Sequence, residues 1–139
     1  MSFNDCIGYG LTETSPNTHI LPEVDGISKV GSIGLLLPNL EARLLVDGDG
    51  NGDIEAGEGE PGELWLRGPN IMKVCFSFPH NPSSIVDDWA SQGYLGNIKA
   101  TQESITLDGW FKTGDIATRD PEGYYYIVDR RKELIKYKV

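Results

Sequence analysis

The apolar residues of this chain arrive in short runs, and almost every run is closed by glycine, proline or an acidic turn. Residues 32–37 (SIGLLL) end at Pro38, residues 40–46 (LEARLLV) run into an Asp-Gly repeat, and residues 63–67 (ELWLR) end at Gly68. Later, residues 116–118 lead into RDPEG, and residues 124–128 (YYYIV) lead into a charged segment. Bounded runs of this length read as strands rather than helices. The run 63–67 alternates cleanly and puts Leu64 and Leu66 on one face. Pro121-Glu122-Gly123 predicts a hairpin turn. One helix is predicted over 98–105 (IKATQESI), where Thr101 can cap a short turn. The expected fold is mainly β with some α, in a chain of 139 residues, the size of one ordinary domain.

Charge narrows the choice of partner. Twelve Lys and Arg against 21 Asp and Glu give a net charge of −9. That argues against nucleic acid or an anionic membrane as the main partner. No apolar run approaches the roughly 20 residues of a membrane-spanning helix. The start, MSFNDCIGYG, lacks a basic region followed by an apolar stretch, so no secretory signal is read there. The protein is expected inside the cell, in the cytoplasm or the peroxisome. Cys6 and Cys75 make neither a disulfide framework nor a zinc set.

Four segments carry candidate chemistry. Residues 47–60 (DGDGNGDIEAGEGE) hold six of the 21 acids and no base. Asp47, Asp49, Asn51, Gly52, Ile54 and Glu58 match the ligand spacing of a calcium-binding EF-hand loop. Gly59, Pro61 and Gly62 behind it would break the helix such a loop requires, so an acidic hairpin loop is the preferred reading. In Gly8-Tyr9-Gly10-Leu11-Thr12-Glu13-Thr14, two glycines let backbone approach a flat ligand on which Tyr9 can stack. Thr12 then offers a hydroxyl to phosphate and Glu13 a carboxylate to Mg²⁺. A turn leading into a capped helix explains the same residues. In Thr113-Gly114-Asp115 the carboxylate can accept two hydroxyl hydrogen bonds at once, which suits a ribose diol. The plainer reading is an Asx turn closing a hairpin. The segment 129–136 (DRRKELIK) reads as a charged strand end or as an anion-contacting hinge.

Taken in order, GYGLTET, GELWLRGPNIMK, GWFKTGD and GYYYIVDRRKELIKYK closely resemble the adenylate-forming (AMP-dependent synthetase/ligase) superfamily. The wording is most similar to its acyl- and aryl-CoA synthetases, the branch of 4-coumarate–CoA ligase and luciferase. The resemblance implies a ligase that activates a small carboxylic acid with Mg-ATP as an acyl-adenylate, then passes the acyl group to coenzyme A. It places Tyr9 at adenine, flanked by Gly8 and Gly10. Thr12 falls at the α-phosphate, Glu13 at Mg²⁺, Asp115 at both ribose hydroxyls, and Arg130 at ribose or phosphate of ATP or AMP. Asp129 and Lys132 fall at the hinge on which a small C-terminal domain swings. Lys136 matches a lysine brought to the site for thioester formation. Trp65 and Trp110 are expected in the core of barrel strands.

The resemblance spans residues 7–138 apart from a stretch near 74–92. It implies the end of a large N-terminal domain: a sheet remnant plus a distorted antiparallel β-barrel subdomain. Residues 1–128 are assigned to that domain, and 129–139 to the hinge and the start of the C-terminal domain. The superfamily's phosphate-binding loop and the C-terminal lysine used for adenylation have no counterpart in these residues, so the isolated chain is expected to lack ligase activity. A non-catalytic AMP-binding or interaction remnant is the alternative, and calcium binding through the acidic loop is a third reading. Residues 74–92 interrupt the expected join of GPNIMK to GYLGN. They are expected to be an add-on, either a surface insertion or, preferably, an intron read through in frame. Every Val codon begins GT and Gln can be CAG, as such a segment's ends require.

Overall fold

The computed structural model describes residues 7–46, 54–73 and 98–130. These residues form two antiparallel sheets and one short helix. The smaller sheet has the order β1 (Gly8–Gly10), β2 (Asn17–Ile20), β3 (Leu35–Leu36). The larger is a meander of β4 (Glu41–Leu45), β5 (Gly62–Arg67), β6 (Phe111–Arg119) and β7 (Tyr125–Arg130). Helix α1 (Ile98–Ser104) precedes β6, and 3₁₀ turns occupy Thr12–Thr14 and Glu23–Asp25. The fold is therefore mainly β with little helix. Among the described residues both sheets are open, and neither closes into a barrel.

The strand pattern and the helix of the sequence appear, with three informative shifts. The run 32–37 keeps only two residues as strand, because its first half is spent bridging to the larger sheet. Gly8-Tyr9-Gly10 is a strand and not a turn into a capped helix. Thr113-Gly114-Asp115 does not close a hairpin. It lies inside the nine-residue β6, where Glu63 pairs with Ile116 but Trp65 pairs with Lys112. The extra residues make a bulge, and Gly114 accommodates it at φ +76°. The predicted hairpin is present: Asp120 Oδ1 accepts from the Glu122 and Tyr124 amides, and the Gly123 amide donates to the Asp120 carbonyl at 3.0 Å.

Alternation along β5 sorts the core. Leu64 and Leu66 point to one face and pack with Leu44, Phe111, Ala117 and Tyr125. Trp65 points to the other face, with Leu45 and Trp110. Both tryptophans are buried, as the sequence predicts, and cations cover them. Arg43 and Arg67 each lie 4.5 Å from the Trp110 ring centre, and Lys112 lies 4.8 Å from that of Trp65. The charged heads thus lie within cation–π distance of the indole rings. The acidic stretch is flanked by strands: the Val46 amide donates to the Ile54 carbonyl at 3.1 Å and the Ala56 amide to that of Leu44 at 2.7 Å. Antiparallel pairing on its flanks stands where an EF-hand needs a pair of helices, and Glu58 lies in a turn. Asp47, Asp49, Asn51 and Gly52, like residues 74–92, lie outside the described residues.

One seam joins the sheets. The Ile33 amide donates to the Tyr125 carbonyl at 2.8 Å, the Tyr125 amide donates to the Gly34 carbonyl at 3.1 Å, and the Ser32 hydroxyl donates to the same Tyr125 carbonyl at 3.0 Å. Gly34 sits at φ +97°, and a Cβ there would lie 2.1 Å from the Ile20 carbonyl carbon. Both the backbone angle and the close approach exclude a side chain. Gly34→Ala is expected to destabilise the chain by about 1–3 kcal/mol. Gly31→Ala, at φ +82° with open space around it, separates the two effects and is expected to cost less. Urea melts of both variants measure the difference.

Candidate functional site

The seam brings two distant motifs together. Tyr9 on β1 donates its hydroxyl to Asp115 Oδ2 at 2.6 Å, across 106 residues of sequence. Arg130 Nε donates to Asp115 Oδ1 at 2.9 Å. Asp115 and Arg130 are direct cross-strand partners on β6 and β7, so backbone register alone aims one at the other. The bulge sets the aspartate: the Asp115 amide donates to Thr113 Oγ1 at 3.1 Å, while that hydroxyl donates to the Leu64 carbonyl at 2.8 Å. The Asp115 side chain is only 6% exposed, whereas that of Arg130 is 58% exposed. A nearly buried carboxylate is thus covered by one phenol and one exposed guanidinium. Burial pushes the Tyr9 phenol well above its ordinary value of 10, and the bond to Asp115 adds to the rise. Tyr9 therefore remains a hydrogen-bond donor across the physiological range.

The loop after Tyr9 is held closely. A Cβ on Gly10 would lie 1.7 Å from the Pro16 carbonyl oxygen, so only glycine allows the chain to fold back there. Thr14 is buried, its hydroxyl accepting from the Leu11 amide at 2.8 Å and donating to the Pro16 carbonyl. Asn70 Nδ2 donates to the Thr14 carbonyl at 2.7 Å and to the Asn17 carbonyl at 3.0 Å, and the Met72 amide donates to the Glu13 carbonyl at 2.7 Å. These bonds present Thr12 exposed and Glu13 half-buried on one 3₁₀ turn. Gly8 flanks Tyr9 on the edge strand, where its backbone is open to solvent. Asp129 is exposed at the end of β7. Lys132 and Lys136 lie outside the described residues.

Sequence reasoning missed the layer beneath Tyr9. His19 faces Tyr9 in the β1–β2 register and is fully buried. Its ring meets Tyr9 edge-on at 5.7 Å and Tyr125 edge-on at 4.7 Å. No motif flags such a residue. Only the pairing of GYG with NTHI shows that a histidine lies under the tyrosine.

With this geometry in place, comparison with known proteins is direct. The family profile of AMP-binding enzymes matches residues 4–75. The chain belongs to this adenylate-forming family, in its acyl-CoA synthetase branch. It is 44% identical over 131 residues to probable 4-coumarate–CoA ligase 2 of Dictyostelium discoideum, covering 94% of the chain and 19% of that protein. It superposes on o-succinylbenzoate coenzyme A synthetase (MenE) from Bacillus subtilis in complex with AMP. The TM-score is 0.67 at 28% identity, over 91% of this chain and 21% of MenE. The form of MenE with ATP and magnesium matches equally, at a TM-score of 0.67 over 22% of its length. The chain thus spans about a fifth of the length of these relatives.

Burial also sets an acid response. Desolvation lowers the His19 imidazole from 6.5 to about 4. A group depressed on folding contributes its stability in full above its unfolded value, and loses it as pH falls toward the folded one. Between pH 7 and pH 4 this single group is expected to remove about 3 kcal/mol of stability. Urea titrations at the two pH values check it: His19→Leu should show a pH-dependent loss smaller than wild type by about that amount.

Proposed function

We propose that this chain forms the nucleotide-contacting face of an ATP-dependent acyl-CoA ligase. The observation that carries the reading is the convergence of Tyr9, Asp115 and Arg130 in a member of the AMP-binding family. In the proposed reaction a carboxylate oxygen attacks the α-phosphorus of ATP and pyrophosphate leaves. The thiol sulfur of coenzyme A then attacks the acyl carbon and AMP leaves. Conversion of the acid to an acyl phosphate exchanges a poor leaving group for a good one, so the protein's work is positioning and charge neutralisation.

Each residue has a part consistent with its place. Asp115 accepts from the ribose hydroxyls with the lone pairs that Tyr9 and Arg130 leave open. Ribose reaches it when the exposed Arg130 side chain swings aside and turns toward ribose or phosphate. The Tyr9 ring, on an edge strand between Gly8 and Gly10, offers a face to adenine. Thr12 donates to the α-phosphate. Glu13 on the same turn suits Mg²⁺, which commonly takes one or two protein carboxylates and completes its shell with phosphate oxygens and water. The ion would neutralise phosphate charge there. Asp129 and Lys132 serve as the hinge into a C-terminal domain at 129–139, following the nucleotide-contacting part in 1–128. Lys136 serves the thioester-forming arrangement.

Calorimetric titration with AMP tests the assignment. Asp115→Ala is expected to weaken AMP binding by at least about tenfold, the worth of a charge-assisted bond to each hydroxyl. Glu13→Ala should leave AMP affinity unchanged and weaken Mg-ATP several-fold. Equal AMP affinity in Asp115→Ala and wild type would remove the aspartate from the site. Pyrophosphate release with ATP and a panel of carboxylic acids reports on turnover. These 139 residues alone are expected to bind AMP without releasing pyrophosphate.

A further inference from the structure

We propose that His19 is a positioning residue of the nucleotide site: its imidazole sets the ring and the backbone of Tyr9, and thereby where the phenol meets Asp115. The proposal rests on the nucleotide reading above. Two separate contacts link the residues. The first is the edge-on ring contact at 5.7 Å between direct cross-strand partners. The second is a relay through Thr18, whose Oγ1 lies 2.9 Å from His19 Nδ1 and 3.4 Å from the Tyr9 carbonyl oxygen. The Thr18 hydroxyl has one proton. When it donates to the Tyr9 carbonyl, it accepts from Nδ1–H, and that assignment fixes the imidazole tautomer.

The other side of the ring supports the same role. Tyr125, 4.7 Å away, belongs to β7, the strand that ends in Arg130. His19 is thus wedged between the strand that carries Tyr9 and the strand that carries Arg130, the two donors to Asp115. Its Nε2 has no hydrogen-bond partner among the described residues, although the residue is fully buried. A buried nitrogen without a partner opposes stability. Its presence here is not explained by packing alone, because an aliphatic side chain of similar size would avoid that cost. Among the described residues, the imidazole meets the Tyr9 ring from β1, the Thr18 hydroxyl beside it on β2, and the Tyr125 ring from β7. Its register partner on β3 is the apolar Leu36. The neutral ring is the form that suits these neighbours, consistent with the lowering by burial described above.

His19→Leu separates positioning from structure. It keeps apolar volume, removes the unpartnered nitrogen, and breaks both links to Tyr9. The expected result is unchanged or higher stability in urea together with AMP affinity reduced about three- to tenfold, the range for loss of one aromatic pair. A purely structural residue would change the two quantities in the same direction. In a Tyr9→Ala background, His19→Leu should cause no further loss of AMP affinity, since its effect passes through the tyrosine. Wild-type AMP affinity in His19→Leu, or an equal loss in both backgrounds, would overturn the proposal while leaving the nucleotide reading intact. If wild type itself binds no AMP, that reading fails. The Tyr9 hydroxyl proton, followed by NMR, then decides the coupling. Its slow exchange in wild type should be lost in His19→Leu, and persistence of slow exchange would refute the role of His19.

Discussion

The backbone pairing of residues 32–34 with Tyr125 is the constraint on which the rest of this structure depends. A three-stranded sheet of such short strands has little chance of standing alone. Three hydrogen bonds to one tyrosine's backbone splice it onto a four-stranded sheet that carries most of the buried apolar surface. The splice requires a residue that tolerates positive φ and touches Ile20 without a side chain, which is the place of Gly34. Lys29 adds a second tie. Its ammonium pairs with Asp120 and Glu122 in the β6–β7 turn, and the Tyr124 hydroxyl donates to Asp25 at 2.7 Å. These outer contacts are more exposed and contribute less than the seam.

The site is a direct product of that splice. Asp115 belongs to the larger sheet and Tyr9 to the smaller, so the hydrogen bond between them exists only when both sheets are docked. The arrangement is chemically economical. A buried carboxylate costs stability unless donors surround it, and here one neutral and one charged donor do so. The neutral donor is anchored by packing on His19. The charged donor is the end of an exposed side chain.

The other face of the larger sheet follows different physics. Arg43 and Arg67 lie over the Trp110 ring and Lys112 over that of Trp65. Arg67 is also held by a bidentate pair with Glu41, at 3.0 and 2.6 Å. Pinned in this way, its guanidinium stacks over Trp110. The indoles are thereby kept dry while the face stays charged.

Much of this was legible from the residues in order. Bounded apolar runs and period-two alternation dictate strands, since no other backbone places Leu64 and Leu66 on one face with Trp65 on the other. The Pro121-Glu122-Gly123 turn needs only local chemistry, and Asp120 caps it through its own neighbours. Tyr9, Glu13, Asp115 and Arg130 stand out as candidates in the sequence because their motifs are contiguous and their order is specific. Tertiary structure alone decided that Thr113-Gly114-Asp115 is a bulge and not a turn. The pairing of β5 with β6 holds both flanks in register, so the excess residues must loop out in place. It alone put Tyr9 on Asp115, across 106 residues that no local pattern spans. And it alone placed His19 beneath the site, because cross-strand register is a property of paired backbones, and a lone histidine in NTHI carries no sign of what it will face.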